Sequence, residues 1–141
     1  MDIKRVKANS DKIKAFEEIE WSLADIEHYG KAIDMAKKKY KFVSENDAGE
    51  ITGTLDLMIE ANIAFLESLL VGSKFRRMGI GKKLLEQAEE LAKEKKCTKI
   101  WLETNEGWES VEFYKKNGYR VTGEHEKHIM NQKTLIFTKF L

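Results

Sequence analysis

The chain has 141 residues, and 25 Lys and Arg residues against 24 Asp and Glu residues leave a formal net charge of +1. Because proteins that bind polyanions over a broad surface are usually strongly basic, this balance argues against nucleic acid or a membrane as a general partner. The length favours one domain over residues 1–141. The lone cysteine, Cys97, cannot form an internal disulfide, and no signal peptide or membrane-spanning run is visible, so we expect a cytoplasmic protein.

The N-terminal third predicts a short strand followed by helices. Residues 3–7 form the strand candidate, and Asn9, Ser10 and Asp11 offer helix caps. Apolar residues then recur at spacings of three and four, which is typical of an amphipathic helix, namely Ile13, Phe16, Ile19, Leu23 and Ile26. Gly30 interrupts this helix, and a second helical piece carries Ala32, Ile33 and Ala36.

Three strands follow. Residues 40–45 and 50–59 predict a hairpin around a turn at 46–49. Residues 63–71 are more apolar, which predicts a strand in the centre of the sheet. Strict alternation along this strand places five residues on one face, namely Ile63, Phe65, Glu67, Leu69 and Val71.

The C-terminal half alternates helices with strands. The clearest helix carries an apolar stripe formed by Ile80, Leu84, Leu85, Ala88, Leu91 and Ala92. A strand at 99–104, a helix at 109–116 and strands at 119–126 and 133–140 complete the order of a mixed α/β domain. The last strand is more apolar than an exposed sheet edge tolerates, so a homodimer is a further expectation.

The segment between the central strand and the clearest helix predicts an anion site. Residues 74–83 contain five basic residues and no acidic one. Gly79 and Gly81 allow close backbone approach, and the free N–H groups of a first helical turn attract phosphate. A Walker A loop would need glycine at 76, and a dinucleotide fingerprint would need glycine near 84, so neither of these phosphate motifs fits. Taken alone, the segment is also compatible with a solvated basic helix start.

Two motifs resemble those of the GCN5-related N-acetyltransferase (GNAT) superfamily. Arg76-x-x-Gly79-x-Gly81 is similar to its Arg/Gln-x-x-Gly-x-Gly/Ala motif, and residues 113–119, FYKKNGY, are similar to its downstream segment. The resemblance implies a mixed, mostly antiparallel sheet of about seven strands, with helices on both faces and a splayed central strand.

The same resemblance implies acetyl-CoA as the acetyl donor. Backbone amides of six loop residues would hold its pyrophosphate, namely Arg77, Met78, Gly79, Ile80, Gly81 and Lys82. The pantetheine would run along Leu69, Leu70 and Val71. Where the family has an asparagine and an alanine before the tyrosine, this chain has Gly107 and Ser110, so Asn105 is the residue that would take over the asparagine's cofactor contact.

Candidate catalytic groups follow from the residues and from the resemblance. Tyr114 occupies the position of the family's general acid, and a phenol can protonate a departing thiolate. Without the resemblance, Phe113 and Tyr114 would be interpreted as aromatic core and rim. Glu67 is a carboxylate on an apolar strand face, where burial would raise its pKa towards the range of a base; a structural ion pair is the alternative.

The resemblance places the acceptor against the first helices and the last hairpin. Candidate contacts there are Trp21, Asp25, His28, Tyr29 and Trp108. Cys97 follows a helix C-terminus, where the dipole opposes a thiolate, so an acyl-enzyme is not expected. His125 and His128, three residues apart, would lie on opposite faces of a strand, and we expect no metal.

The resulting hypothesis is an N-acetyltransferase that carries acetyl from acetyl-CoA to a primary amine by direct attack in a ternary complex. The acceptor is a small-molecule amine or a protein amine. One alternative is a non-catalytic acyl-CoA-binding sensor on the same fold, and another is an anion-binding interaction domain without a CoA role.

Overall fold

A computed structural model of the chain describes residues 1–7 and 10–141. Asn9, one of the expected helix caps, lies outside the described residues. The chain divides into two compact units, Met1–Met35 and Ala36–Leu141. In the described part, every helix is too short or too polar to cross a membrane.

The N-terminal unit is built around helix α1, Asp11–Tyr29. The Ser10 side chain accepts the Ile13 N–H, and Gly30 ends the helix in the left-handed conformation at φ 76°, as its interruption of the pattern predicts. Residues 3–7 form no strand, so that prediction is wrong.

The second predicted helical piece is also wrong. The chain from Lys31 to Lys37 forms neither helix nor strand. After the helix ends at Gly30 the chain turns back, and the Ile33 N–H donates to Asp25 Oδ2 at 3.2 Å. This carboxylate gives the backbone an alternative to helical hydrogen bonding.

The C-terminal unit contains one six-stranded sheet of order β1-β2-β3-β4-β6-β5. The strands are β1 Lys38–Glu45, β2 Ile51–Glu60, β3 Ile63–Val71, β4 Lys99–Asn105, β5 Arg120–His125 and β6 Thr134–Phe140. Only β3 and β4 run parallel, so the predicted mixed, mostly antiparallel sheet is confirmed. The described strands number six where about seven are predicted, because residues 3–7 remain irregular.

The last strand does not lie at a sheet edge. β6 pairs with β4 on one side and β5 on the other, and Phe137 is fully buried. Its apolar character is therefore explained by burial within this unit, and that reason for expecting a homodimer disappears. The homodimer itself stays a prediction.

Helices α2, Ile80–Glu94, and α3, Glu109–Lys116, share one core with the sheet. The buried stripe of α2 is Leu84, Leu85, Ala88 and Ala92. Burying each leucine contributes roughly 2 kcal/mol. Gly53 on β2 brings α2 close, because a Cβ there would lie 3.0 Å from side-chain atoms of Ile80 and Leu84. The predicted placement of helices on both sheet faces stays a prediction.

β3 and β4 separate soon after they begin to pair. Their register contains only Ala64 opposite Ile100 and Phe65 opposite Trp101. β4 nevertheless keeps its pairing with β6 as far as Asn105 opposite Thr134. The expected splayed central strand is thus confirmed, and it leaves the edge of β3 beyond Phe65 without a strand partner on the β4 side.

A β-bulge at Glu67 changes the faces of β3. Asp56 lies opposite Ser68 and Leu57 opposite Leu66, so Glu67 is the extra residue. One extra residue reverses the alternation, which puts Leu69 against the core and leaves Leu70 66% exposed. The strict alternation predicted for this strand is therefore wrong beyond Leu66.

Candidate active site

The basic segment forms a turn that presents the N-terminus of α2. Gly79 caps the helix at φ 80°, a conformation that costs little only for glycine. The first hydrogen bond of the helix runs from the Lys83 N–H to the Gly79 carbonyl at 3.1 Å. The amides of Ile80, Gly81 and Lys82 precede this bond, as expected of the first turn of a helix. The predicted phosphate donors are thus grouped at one point.

The charges around this turn are exposed and only partly neutralised. Arg77, at φ 62°, places Nη2 3.1 Å from Glu109 Oε1 at the start of α3. Lys82 Nζ lies 3.8 Å from Glu86 Oε1, and Met78 is 66% exposed. Both ion pairs are in solvent, where such pairs are weak, so the two cations remain available to an anionic ligand.

A cleft of about 580 Å³, here the loop-side cleft, lies beside the turn where β3 and β4 separate. Its walls include Leu69 and Leu70 of β3, Arg76 of the basic segment and Tyr114 of α3. Val71, the third predicted pantetheine contact, is directed towards α2, since a Cβ added at Gly81 would lie 3.4 Å from its Cγ2. Three of the sequence-predicted cofactor residues, Leu69, Leu70 and Arg76, therefore line this one cleft.

Tyr114 is the buried aromatic residue of the loop-side cleft. It is 6% exposed, and its ring makes edge contacts with Phe113 and Tyr119. Burial raises the pKa of Tyr114 to about 12, so its phenol keeps its proton at neutral pH. The hydroxyl has no hydrogen-bond partner among the described residues. Since no group of the described chain accepts a hydrogen bond from this hydroxyl, its proton can be donated to a ligand in the cleft.

A second cleft of about 420 Å³, here the hairpin-side cleft, lies next to the first. It extends from β3 and β4 to the hairpin between β5 and β6, with Ile129, Met130 and Gln132 among its walls. Five residues line both clefts, namely Leu66, Glu67, Glu103, Thr104 and Trp108. The two clefts therefore adjoin at the splay.

Glu67 lies at this shared boundary, but it is not buried. The bulge leaves its side chain 30% exposed, with Oε1 3.3 Å from Lys39 Nζ. The prediction that Glu67 is buried on an apolar face is wrong, because its carboxylate is solvated and has a cationic partner. Its role as a base stays a prediction, and the ion pair is the structural alternative.

Asn105 lies in the hairpin-side cleft, away from the basic turn. Its Oδ1 accepts the Thr134 hydroxyl at 2.8 Å, and its Nδ2 donates to Gln132 Oε1 at 3.2 Å. Both ends of the 8% exposed side chain are therefore engaged in tying β4 to the last hairpin. This arrangement argues against the predicted cofactor contact.

Four of the predicted acceptor contacts belong to the N-terminal unit. Trp21, His28 and Tyr29 are exposed there, and Asp25 accepts the Ile33 N–H. Their acceptor role stays a prediction. Trp108, the fifth, lines both clefts and is 59% exposed.

Sequence reasoning missed Glu103 and misjudged the histidines. Glu103 interrupts an apolar strand, the same signal that drew attention to Glu67. Its Oε1 lies 3.2 Å from His125 Nε2. His128 lies beyond the end of β5, and its ring stacks on that of His125 with 4.9 Å between the ring centroids. The prediction that the two histidines lie on opposite faces of a strand is therefore wrong.

Cys97 is buried, and burial raises the pKa of its thiol. A raised pKa disfavours the thiolate, which is the form that acts as a nucleophile.

Comparisons with known sequences agree with this geometry. The model of a family described as Acetyltransferase (GNAT) family matches residues 8–119. The uncharacterized protein YdhI of Bacillus subtilis is 38% identical over 80 residues, which make up 56% of this chain and 49% of YdhI. The chain spans about half the length of such curated relatives.

Solved structures show the same fold. An acetyltransferase from Bacillus cereus ATCC 14579 has a TM-score of 0.75 and 25% identity, with 98% of each chain covered. A candidate streptothricin acetyltransferase from Bacillus anthracis, solved in complex with acetyl coenzyme A, has a TM-score of 0.68 and 25% identity. That similarity covers 73% of this chain and 62% of the Bacillus anthracis protein.

Proposed function

Because the chain belongs to the acetyltransferase (GNAT) family, we propose that it transfers acetyl from acetyl-CoA to a primary amine by direct attack within a ternary complex. The observation that carries the proposal is the splay between β3 and β4, which opens one cleft beside the basic turn and another beside the last hairpin. Acetyl-CoA can then reach the splay through the loop-side cleft, and the amine can reach it through the hairpin-side cleft.

The loop-side cleft supplies groups of the kind that acetyl-CoA needs. Amides of the α2 N-terminus and the positive end of its dipole suit a pyrophosphate, with Arg76 and Arg77 adding charge. The unpaired edge of β3 offers backbone groups to the amide-rich pantetheine over Leu69–Val71. The bound state of the Bacillus anthracis protein supports this choice of ligand.

The reaction requires one bond to form and one to break. The amine nitrogen attacks the thioester carbon, the C–S bond breaks, and the departing thiolate needs a proton. We assign that proton to the Tyr114 hydroxyl, which lies in the loop-side cleft and stays protonated. An ammonium group has no lone pair, so it must lose a proton before it attacks, and Glu67 at the shared boundary accepts that proton directly or through water. The second proton, which the nitrogen loses once the C–N bond has formed, replaces the one that Tyr114 gives to the thiolate.

The decisive experiment measures free thiol release from acetyl-CoA with a panel of primary amines, beside calorimetric titration of acetyl-CoA. The proposal expects binding together with amine-dependent thiol release. Binding without release for any amine would favour a non-catalytic acyl-CoA sensor. Absence of binding at about millimolar acetyl-CoA would remove both roles, since a dissociation constant of 1 mM corresponds to only about −4 kcal/mol.

A further inference from the structure

The hairpin-side cleft combines two carboxylates with an apolar rim. We infer that it takes a primary amine cation that carries an apolar body, and that Glu103 selects the cation. The inference rests on the proposed function, because it names the class of acceptor used in that reaction. It concerns only residues of the C-terminal unit, from Phe65 on β3 to Thr134 on β6.

The carboxylates come from the two strands that separate. Glu67 on β3 and Glu103 on β4 both line the cleft. Lys39 lies 3.3 Å from Oε1 of Glu67, and His125 lies 3.2 Å from Oε1 of Glu103. The Oε2 atom of each has no partner among the described residues. Each carboxylate therefore keeps acceptor capacity for an ammonium group, the most complementary partner for two neighbouring acids.

The rim is apolar and exposed. Trp108 is 59% exposed, Ile129 63% and Met130 86%, although all three border a cavity. Exposed apolar side chains grouped around a cavity are typical of a surface that a ligand covers. The ring of Trp108 also suits a cation, because its face attracts an ammonium group.

The rim is held in place at a cost to the backbone. Met130 has a φ of 54°, which is strained for a residue with a Cβ. The His128 N–H donates to the Gln132 carbonyl at 2.8 Å, and the Gln132 side chain accepts from Asn105. The first bond closes the loop of the hairpin and the second joins that loop to β4, so Met130 is held at the rim of the cleft.

Together these features favour one ligand chemistry. A neutral ligand would leave the Oε2 atoms of both carboxylates without a cationic partner, and a fully hydrophilic polyamine would leave the rim in water. An ammonium group on an aromatic or aliphatic body satisfies both. The probes that separate the contributions are 2-phenylethylamine, the neutral 2-phenylethanol and the hydrophilic ethanolamine.

The test measures binding by calorimetry to the whole chain saturated with CoA, at about pH 7, where alkyl amines are protonated as lysine is. We expect 2-phenylethylamine to bind at least about tenfold more tightly than either other probe, which corresponds to 1.4 kcal/mol. Equal or weaker binding of 2-phenylethylamine would overturn the inference.

Two pairs of variants locate the effect. Glu103→Gln should remove the preference for the amine over the alcohol, whereas Glu124→Gln, which loses a comparable surface pair with Lys133, should retain it. Ile129→Ser should reduce the preference for 2-phenylethylamine over ethanolamine. Ile51→Ser should not, because Ile51 is similarly exposed, at 59% against 63% for Ile129, but lies outside the cleft. Equal effects within either pair would contradict the assignment of that feature.

The inference and the proposed function fail in different ways. Selective binding of 2-phenylethylamine without thiol release would overturn catalysis and leave the binding site intact. Efficient acetylation of ethanolamine but not of 2-phenylethylamine would confirm catalysis and overturn the apolar acceptor.

Discussion

The two clefts at the splay differ in how the chain builds them. The loop-side cleft takes its distinguishing groups from short motifs, the basic turn that opens α2 and the α3 segment that carries Tyr114. The hairpin-side cleft joins isolated residues of β3, β4 and the last hairpin, with Asn105 holding Gln132 across 27 positions of sequence. Acetyl-CoA always presents the same phosphates, so a short sequence motif suits its binding. Acceptor amines differ from one another, and they suit a cleft whose wall residues can be substituted independently.

The difference between the loop-side cleft and the hairpin-side cleft is tested most severely by Tyr114→Phe. Loss of the proton donor should lower kcat at least about 100-fold, the usual lower range for general acid catalysis, while the dissociation constant of acetyl-CoA stays unchanged. Tyr119→Phe is the matched control, because its buried hydroxyl donates to Glu89 at 3.2 Å and contributes to stability. Full turnover by Tyr114→Phe would show that the acid is elsewhere.

The burial of Tyr114 also predicts a pH dependence. Its folded-state pKa of about 12 lies above the ordinary value of 10.0, so its contribution to stability is complete below that value and is lost as pH rises towards 12. Stability should fall by about 1.4 kcal/mol per pH unit for such a tyrosine in that window. Denaturant titrations at several pH values should show that the free energy of unfolding falls less steeply with pH for Tyr114→Phe. An identical pH dependence in the two proteins would mean that the Tyr114 ring is hydrated.

Glycine substitutions separate phosphate binding from backbone strain. Gly79→Ala and Gly49→Ala both force alanine into a left-handed conformation, at φ 80° and 76°, with open space around the new Cβ. Each should cost about 1 kcal/mol of stability. Only Gly79→Ala should also weaken acetyl-CoA binding, by about tenfold, because a shift at the α2 N-terminus moves the phosphate donors. Equal affinities in calorimetry would place the phosphates elsewhere.

Asn105→Ala tests which cleft this residue serves. Loss of its bonds to Thr134 and Gln132 should loosen the hairpin and raise the KM for the amine about fivefold, since a hydrogen bond contributes roughly 1 kcal/mol. The dissociation constant of acetyl-CoA should not change. Asn46→Ala, which removes comparable side-chain bonds in the β1–β2 turn, is the control. A selective loss of acetyl-CoA affinity would restore the cofactor contact.

The smallest effect is expected at Glu109. Glu109→Gln removes the carboxylate that competes with phosphate for Arg77, so acetyl-CoA affinity should rise by about twofold, in keeping with the weakness of exposed pairs. Added salt should shrink the difference. Weaker binding in this variant would mean that Glu109 positions Arg77 for the ligand.

Local patterns predicted the elements around the loop-side cleft well. The α2 stripe, the α3 segment and the strand ending at Val71 lie where periodicity and turn residues indicate. These features depend on neighbours in sequence, which is why they can be predicted from it.

Tertiary contacts explain what could not be predicted. The Glu67 bulge depends on pairing between β2 and β3, and it exposed a carboxylate that alternation had placed on an apolar face. Asp25 captures the Ile33 N–H and diverts the expected second helix. The bonds of Asn105 and the pair of Glu103 with His125 join strands that are distant in sequence.

The division of the splay into two clefts is tested most directly by amide chemical-shift mapping during titration with acetyl-CoA. Residues 77–82 and Leu69–Val71 should shift, and residues 129–132 should shift only when an amine is added afterwards. Shifts at residues 129–132 with acetyl-CoA alone, while residues 77–82 remain unperturbed, would contradict the account.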